Sequence, residues 1–134
     1  MKFTGRQLYD AVVTLAGIIN RPRNLPQTAK YRISRLHSSL EPEYKLLEAE
    51  RVKLVEELGE QTFADEAKTQ PMGWTIPDTI PPSAKMVEYR MRWNTILNEE
   101  IDVNVQPITL TTLGDAPGGI EADEFIRLGE LVTE

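Results

Sequence analysis

The feature that most constrains the fold is a run of side chains spaced alternately three and four residues apart between about residues 26 and 58. The spacing is followed by Ile33, Leu36, Leu40, Tyr44, Leu47, Arg51, Leu54 and Leu58. It is typical of a helical seam that packs on other helices. Pro42 lies inside the run, where proline removes a backbone hydrogen bond and costs about 3 kcal/mol. We therefore predict a long helix with a kink or a break at 40–42, where Ser38 or Ser39 would cap a new helix.

A first helix is indicated before this seam. Thr4 is a suitable N-cap, and an apolar stripe at helical spacing follows it, made of Leu8, Val12, Leu15 and Ile19. Pro22 restrains the residue before it, so we expect the helix to end near Asn20. Because only a short connection remains before the second helix, we predict that the two form an antiparallel hairpin.

Residues 60–82 are predicted to leave the helical pattern. Gly59 is suited to end the second helix, and the segment after it is rich in proline. A stretch of about 20 residues without secondary structure is unusual in a compact domain. It indicates a functional loop, a disordered segment or an arm that packs on a neighbouring subunit. Trp74 and Ile76 argue against disorder.

Helix and strand signals are both present after this proline-rich excursion. Ser83 is expected to cap a third helix that runs to about Asn98 and buries two apolar faces. Residues 101–113 then alternate in polarity and are rich in Thr, Val and Ile, which predicts one or two strands. Pro107 cannot donate to a ladder, so we place it at a strand edge or a bulge.

The chain is predicted to close with a short helix. A turn at 115–119 precedes residues 120–132, whose first turn is acidic and suits the positive end of a helix dipole. The fold class is therefore a mostly helical α+β protein. It comprises the helical hairpin with its kinked long helix, a third helix, a small β element and a C-terminal helix. A length of 134 residues matches a single domain over 1–134.

Composition excludes several classes of protein. The chain is 40% hydrophobic and 27% charged, as in ordinary soluble domains. It has no cysteine, which excludes disulfides and thiol chemistry. The longest apolar stretch near the N-terminus is far short of the roughly 20 residues of a membrane span. We expect a cytoplasmic protein that does not contact a membrane.

Charge is divided unevenly along the chain. Residues 1–40 hold seven bases against the single acid Asp10 and are net +6. Of the chain's 15 bases and 21 acids, 8 bases and 20 acids then remain in residues 41–134, which are net −12. This asymmetry indicates an anionic ligand or an acidic partner at the basic end.

The basic cluster in the second helix is the candidate site. Lys30, Arg32 and Arg35 lie in the first turns, where the helix dipole disfavours cations. Together with Tyr31 as a stacking face, they suit a phosphate-bearing ligand. The alternative is that carboxylates elsewhere in the chain pair with these bases. Trp74 is either a core residue or a ligand lid or partner anchor.

Signatures of catalysis are missing from the sequence. No phosphate-cradling glycine loop, nucleophile elbow or two-histidine metal motif occurs, and the lone His37 has no nearby nucleophile in sequence. The acidic clusters lack the periodicity of a calcium loop. We expect no enzyme, no cofactor and no metal site. Binding to duplex DNA is disfavoured because the whole chain is acidic.

Several short runs spread along the chain carry a family resemblance. They lie at residues 25–36, 40–43, 50–51, 54–59 and 98–108. With the acidic closing helix, they resemble a group of small phage-encoded proteins of unknown function. The resemblance implies a viral accessory or virion protein in the cytoplasm of a bacterial host, and it implies no reaction.

Two functions follow as hypotheses. The first is a non-enzymatic phage accessory protein that sequesters a small anionic host molecule, such as a nucleotide immune signal, as an anti-defence function. The second is a structural, assembly or host-protein-binding component that uses the helical hairpin and the proline-rich arm. We expect a homo-oligomer in either case, because an elongated hairpin of this size seldom buries its apolar seam alone.

Overall fold

The computed structural model describes residues 1–114 and 118–134. In chain order the elements are β1 (Lys2–Thr4), α1 (Gly5–Ile19), α2 (Gln27–Leu58), β2 (Glu60–Phe63), β3 (Pro71–Thr75), α3 (Ala84–Leu97), β4 (Glu100–Asp102), β5 (Ile108–Thr109), α4 (Leu110–Leu113), α5 (Ala122–Leu128), a 3-10 turn (Gly129–Leu131) and β6 (Val132–Thr133). Helices dominate and the strands are short, which confirms the mostly helical α+β fold.

The chain divides into two compact units. The terminal unit comprises residues 1–44 and 100–134, and the middle unit comprises residues 45–99. Their boundary falls inside α2. The single domain expected from chain length stays a prediction.

Helix α1 begins and ends where its sequence signals predict. The Thr4 hydroxyl accepts a hydrogen bond from the Gln7 N–H at 3.2 Å, and the Gln7 side chain accepts one from the Thr4 N–H at 2.9 Å. This capping box satisfies two backbone donors at the helix start. Asn20 is the C-cap, and its N–H donates to the Ala16 carbonyl.

The apolar stripe of α1 is buried except at its last position. The buried members are Leu8, Val12 and Leu15. Ile19 is 42% exposed, and Ile18 is buried in its place.

α1 packs closely on α5. The rings of Tyr9 and Tyr44, with centroids 5.1 Å apart, connect the start of α1 to the middle of α2, in agreement with an antiparallel hairpin.

The seam of α2 is buried as its spacing predicts. Six of its eight members are buried, namely Ile33, Leu36, Leu40, Leu47, Leu54 and Leu58. Arg51, the polar member, is half-buried and donates to both carboxylate oxygens of Glu48 at 3.0 and 3.1 Å. This pairing explains how a charged side chain is accommodated in an apolar seam.

Of the kink or break predicted at Pro42, the break does not occur, and the kink stays a prediction. α2 is continuous from Gln27 to Leu58 with Pro42 inside it. The Ser39 hydroxyl donates to the Arg35 carbonyl at 3.0 Å, one turn earlier, so Ser39 continues the helix and does not cap a new one. Buried seam residues on both sides of the proline stabilise the helical path against the hydrogen bond that proline removes.

Two short strand pairs organise the terminal unit. β1 and β4 are antiparallel, with Phe3 opposite Ile101. β5 and β6 are parallel, with Ile108 opposite Val132. Pro107 lies between β4 and β5 and belongs to neither ladder.

The C-terminal part of the terminal unit departs from the prediction in two places. Residues 110–113 form α4 and not a strand, because the Thr109 hydroxyl accepts a hydrogen bond from the Thr112 N–H at 3.3 Å and starts a helical turn. α5 is shorter than the predicted helix. Of the turn predicted at 115–119, residues 115–117 lie outside the described residues.

The middle unit contains a β-hairpin that was not predicted. β2 and β3 pair antiparallel, so part of the proline-rich excursion is regular structure. Gly59 joins α2 to β2 in a crowded position, since a Cβ atom there would lie 2.5 Å from the carbonyl oxygens of both Val55 and Thr75. Only glycine fits this approach of the hairpin to the end of α2.

Helix α3 has the predicted start but not the predicted burial. The Ser83 hydroxyl accepts a hydrogen bond from the Met86 N–H at 3.2 Å. Leu97 is the only buried residue of the helix, and Met91 is 67% exposed. The expectation of two buried faces is therefore wrong, because the other apolar residues of the helix remain partly or fully exposed.

Candidate functional site

A cavity of about 500 Å³ lies in the terminal unit beside the second to fourth turns of α2. One wall is formed by α2 through Tyr31, Arg32, Arg35, Leu36 and Ser39, and the other by the chain at 104–108. We call it the arginine cavity. Its volume falls in the range of ligand pockets, about 300 to 1,000 Å³.

The helix wall of the arginine cavity combines charge, a ring and an apolar base. Arg32 and Arg35 are three residues apart and therefore lie on neighbouring turns of one face. Tyr31 is 62% exposed, so its ring is available to stack on a ligand. Leu36 is buried and anchors this face in the core.

The opposite wall is held by backbone hydrogen bonds. The Val103 N–H donates to the Met1 carbonyl at 2.9 Å, and the Val105 N–H donates to the Val103 carbonyl at 3.1 Å. Asn104 lies between these two valines and Gln106 lies between Val105 and Pro107, and both residues are exposed. Their amides can both donate and accept hydrogen bonds at the cavity.

The guanidinium groups of Arg32 and Arg35 are available for a ligand. Across residues 1–114 and 118–134, no carboxylate lies within 4.0 Å of either side chain. Exposed arginines without an internal partner can donate paired hydrogen bonds to phosphate or carboxylate oxygens.

Arg23, another member of the basic N-terminal segment, is engaged inside the fold. Its guanidinium donates to the two Glu124 oxygens at 2.5 and 2.9 Å and to the Gly119 carbonyl at 3.1 Å. Both side chains of the pair are about nine-tenths buried. These hydrogen bonds lower the pKa of Glu124 and raise that of Arg23 from their ordinary values. Arg23 is therefore paired inside the fold, although the alternative of internal pairing was raised for Lys30, Arg32 and Arg35.

The five site residues predicted from the sequence separate into three places. Tyr31, Arg32 and Arg35 line the arginine cavity. Lys30 lies on a second depression of the terminal unit, at the connection between α1 and α2. Trp74 belongs to the middle unit, where it lies opposite Gln61 in the hairpin.

Asn104 and Gln106 were not predicted as site residues. In the sequence they are the polar members of an alternating pattern, and such positions are read as the solvent face of a strand. The structure ends β4 at Asp102 instead and leaves both amides on an irregular segment. The available signal was two amide residues within the three positions before Pro107.

Other clusters of titratable groups are sparse. The His37 ring lies 4.0 Å from the Glu41 carboxylate on the same helix. Within the described ranges, no group of three or more acidic or histidine side chains is arranged to hold a metal ion. In the same part of the chain, no helix combines the length and apolar character needed to cross a membrane.

Comparison with known proteins gives no match. No family model matches the chain, and neither a curated protein nor a solved structure is significantly similar to it.

Proposed function

We propose that this protein is a non-enzymatic phage accessory protein that binds and sequesters a small phosphate-bearing molecule in the arginine cavity. The observation that supports the proposal is that Arg32 and Arg35 line a concave site. Among the described residues, neither arginine has a carboxylate partner. The phage setting, in the cytoplasm of a bacterial host, rests on the sequence resemblance.

The chemistry of the lining favours a polar, planar anion. The two guanidinium groups can each bind a phosphate bidentately, the Tyr31 ring can stack on a base, and the amides of Asn104 and Gln106 can read its edge. A nucleotide or cyclic dinucleotide supplies all three features. Sequestration needs affinity and abundance, and it requires no catalytic group.

Thermal unfolding in the presence of nucleotides, cyclic dinucleotides and ADP-ribose derivatives tests the proposal. A ligand at about 100 times its dissociation constant stabilises a protein by about 2.7 kcal/mol. We expect one class to raise the melting temperature, and we expect the rise to be lost in Arg32→Ala and Arg35→Ala.

The matched control is Arg90→Ala, which removes one exposed arginine from the middle unit and leaves the cavity unchanged. The bound ligand should be recovered intact after denaturation. A shift that survives both cavity substitutions, a ligand recovered as a cleaved product, or no shift across the panel would contradict the proposal.

A second candidate function is assembly, either with copies of itself or with a host protein. The observation in its favour is the exposed apolar surface of the hairpin, where Met72 is 71% exposed and Trp74 lies two residues further along the same strand. Sedimentation of the purified protein, compared with Met72→Asp and the control Thr79→Asp, tests self-association. A homo-oligomer that dissociates only in Met72→Asp would favour assembly, and a monomer at all concentrations would count against self-assembly.

A further inference from the structure

The second depression of the terminal unit differs in chemistry from the arginine cavity. It has a volume of about 400 Å³ and lies where α1 ends and the chain crosses to α2. Its apolar surface comes from Ile18, Ile19, Leu25 and Ile33. We call it the isoleucine groove.

The apolar floor of the isoleucine groove includes one exposed side chain, that of Ile19. Ile18 and Ile33 are buried, but Ile19 remains 42% exposed at the end of α1. Helical spacing assigned Ile19 to the buried stripe, so its exposure beside a concave apolar surface is unexpected. A ligand that covered Ile19 would remove apolar surface from water without displacing any core contact.

Cations stand at the rim of this apolar floor. Arg21 and Lys30 both border the groove and are exposed. In the part of the chain that the structure describes, neither side chain has a carboxylate within 4.0 Å. Arg23 also borders the groove, but Glu124 neutralises its charge. The charge left for a ligand is therefore that of Arg21 and Lys30.

We propose that the isoleucine groove binds an amphipathic monoanion, an aliphatic carboxylate whose alkyl chain lies on Ile18, Ile19 and Ile33. Its carboxylate is held by Arg21 and Lys30. An apolar floor with cations at its edge is complementary to a molecule with one anionic end and an apolar body. A highly charged phosphate compound would leave Ile19 uncovered, so the two sites of the terminal unit select different ligands.

The test is a titration of the full chain with decanoate, followed by calorimetry. We expect saturable binding that weakens by at least about tenfold in Ile19→Asp, because a carboxylate in the apolar floor repels the ligand and is desolvated by it. Val13→Asp is the matched control, since Val13 is an exposed residue of the same helix that does not border the groove. Equal weakening in both variants, or no saturable binding, would overturn the proposal.

A second variant tests the proposal even if Ile19→Asp does not fold. Arg21→Gln combined with Lys30→Gln changes only exposed side chains, and we expect it to weaken decanoate binding by at least about tenfold. The neutral analogue decanol should bind the unmodified protein more weakly than decanoate does, and its affinity should not change in this variant. Equal affinity for decanol and decanoate would refute the cationic rim. Arg32→Ala should leave decanoate binding unchanged, which separates this site from the arginine cavity.

Discussion

The two arginine environments of the terminal unit are opposites, although Arg23 lies only nine and twelve residues before Arg32 and Arg35 in the sequence. The Arg23 side chain is about nine-tenths buried and bound to Glu124 and to a carbonyl, whereas Arg32 and Arg35 are exposed beside a cavity. The first arrangement fixes the connection between α1 and α2 against α5. The second leaves hydrogen-bond donors facing solvent. Net charge in a segment therefore does not distinguish a cation that is paired inside the fold from one that is exposed beside a cavity.

The largest expected effect comes from breaking the buried pair. Glu124→Ala leaves the Arg23 guanidinium buried without its carboxylate, and it also removes the hydrogen bond that Glu124 accepts from the Glu121 N–H. We expect a loss of about 3 kcal/mol in the free energy of unfolding, measured with urea. Asp123→Ala is the control, because the Asp123 carboxylate is exposed, its ion pair is with Arg127 and its removal should change stability by less than about 0.5 kcal/mol. Similar losses in the two variants would refute a structural role for the Arg23 pair.

Acid should reproduce part of this loss. The hydrogen bonds from Arg23 lower the pKa of Glu124 in the folded protein, so Glu124 contributes stability that is present above its unfolded pKa of about 4.3. That contribution is lost as the pH falls through the folded pKa. The difference in unfolding free energy between the unmodified protein and Glu124→Gln should therefore be constant near neutral pH and shrink below about pH 4. A difference that stays constant down to pH 2 would contradict the assigned cause.

A smaller effect is expected when the charge is kept and the geometry of the pair is changed. Arg23→Lys retains a cation but cannot make two parallel hydrogen bonds to Glu124 while also reaching the Gly119 carbonyl. We expect a loss of about 1 to 2 kcal/mol in thermal or urea unfolding. The same change at Arg32 should be nearly neutral for stability, and an equal cost at both positions would remove the distinction between the two environments.

The smallest effect on stability is expected at the arginine cavity. Arg32→Ala and Arg35→Ala remove exposed side chains without a described carboxylate partner, so the free energy of unfolding without ligand should change by less than about 0.5 kcal/mol. Urea unfolding of the ligand-free variants checks this. A larger loss would show that these arginines support the fold, and it would weaken the case for a ligand.

Local signals explain which elements could be predicted from the sequence. The caps at Thr4 and Ser83 and the seam of α2 involve residues close in sequence, and all are present as expected. The continuity of α2 through Pro42 could not be predicted, because tertiary packing decides whether a helix tolerates a proline. The hairpin was missed because its strands are short and its burial is partial.

The arginine cavity shows the same division. Arg32, Arg35 and Tyr31 are close in sequence, and helical spacing alone brings them to one region. The wall at 104–108 is brought to them by contacts between residues about 70 positions apart in the chain. The partner of Arg23 was likewise not predicted, since any of 20 carboxylates in residues 41–134 could have filled that role.

The parallel pairing of β5 with β6 makes the cavity wall depend on residues remote from it in sequence. Ile108 lines the arginine cavity and pairs with Val132, so the backbone at 132–133 holds this part of the wall in register. The order of the C-terminal residues therefore affects this wall of the cavity. A chain shortened to Leu131 lacks β6, so a binding assay on it would measure a cavity whose wall at 104–108 has lost its pairing with β6.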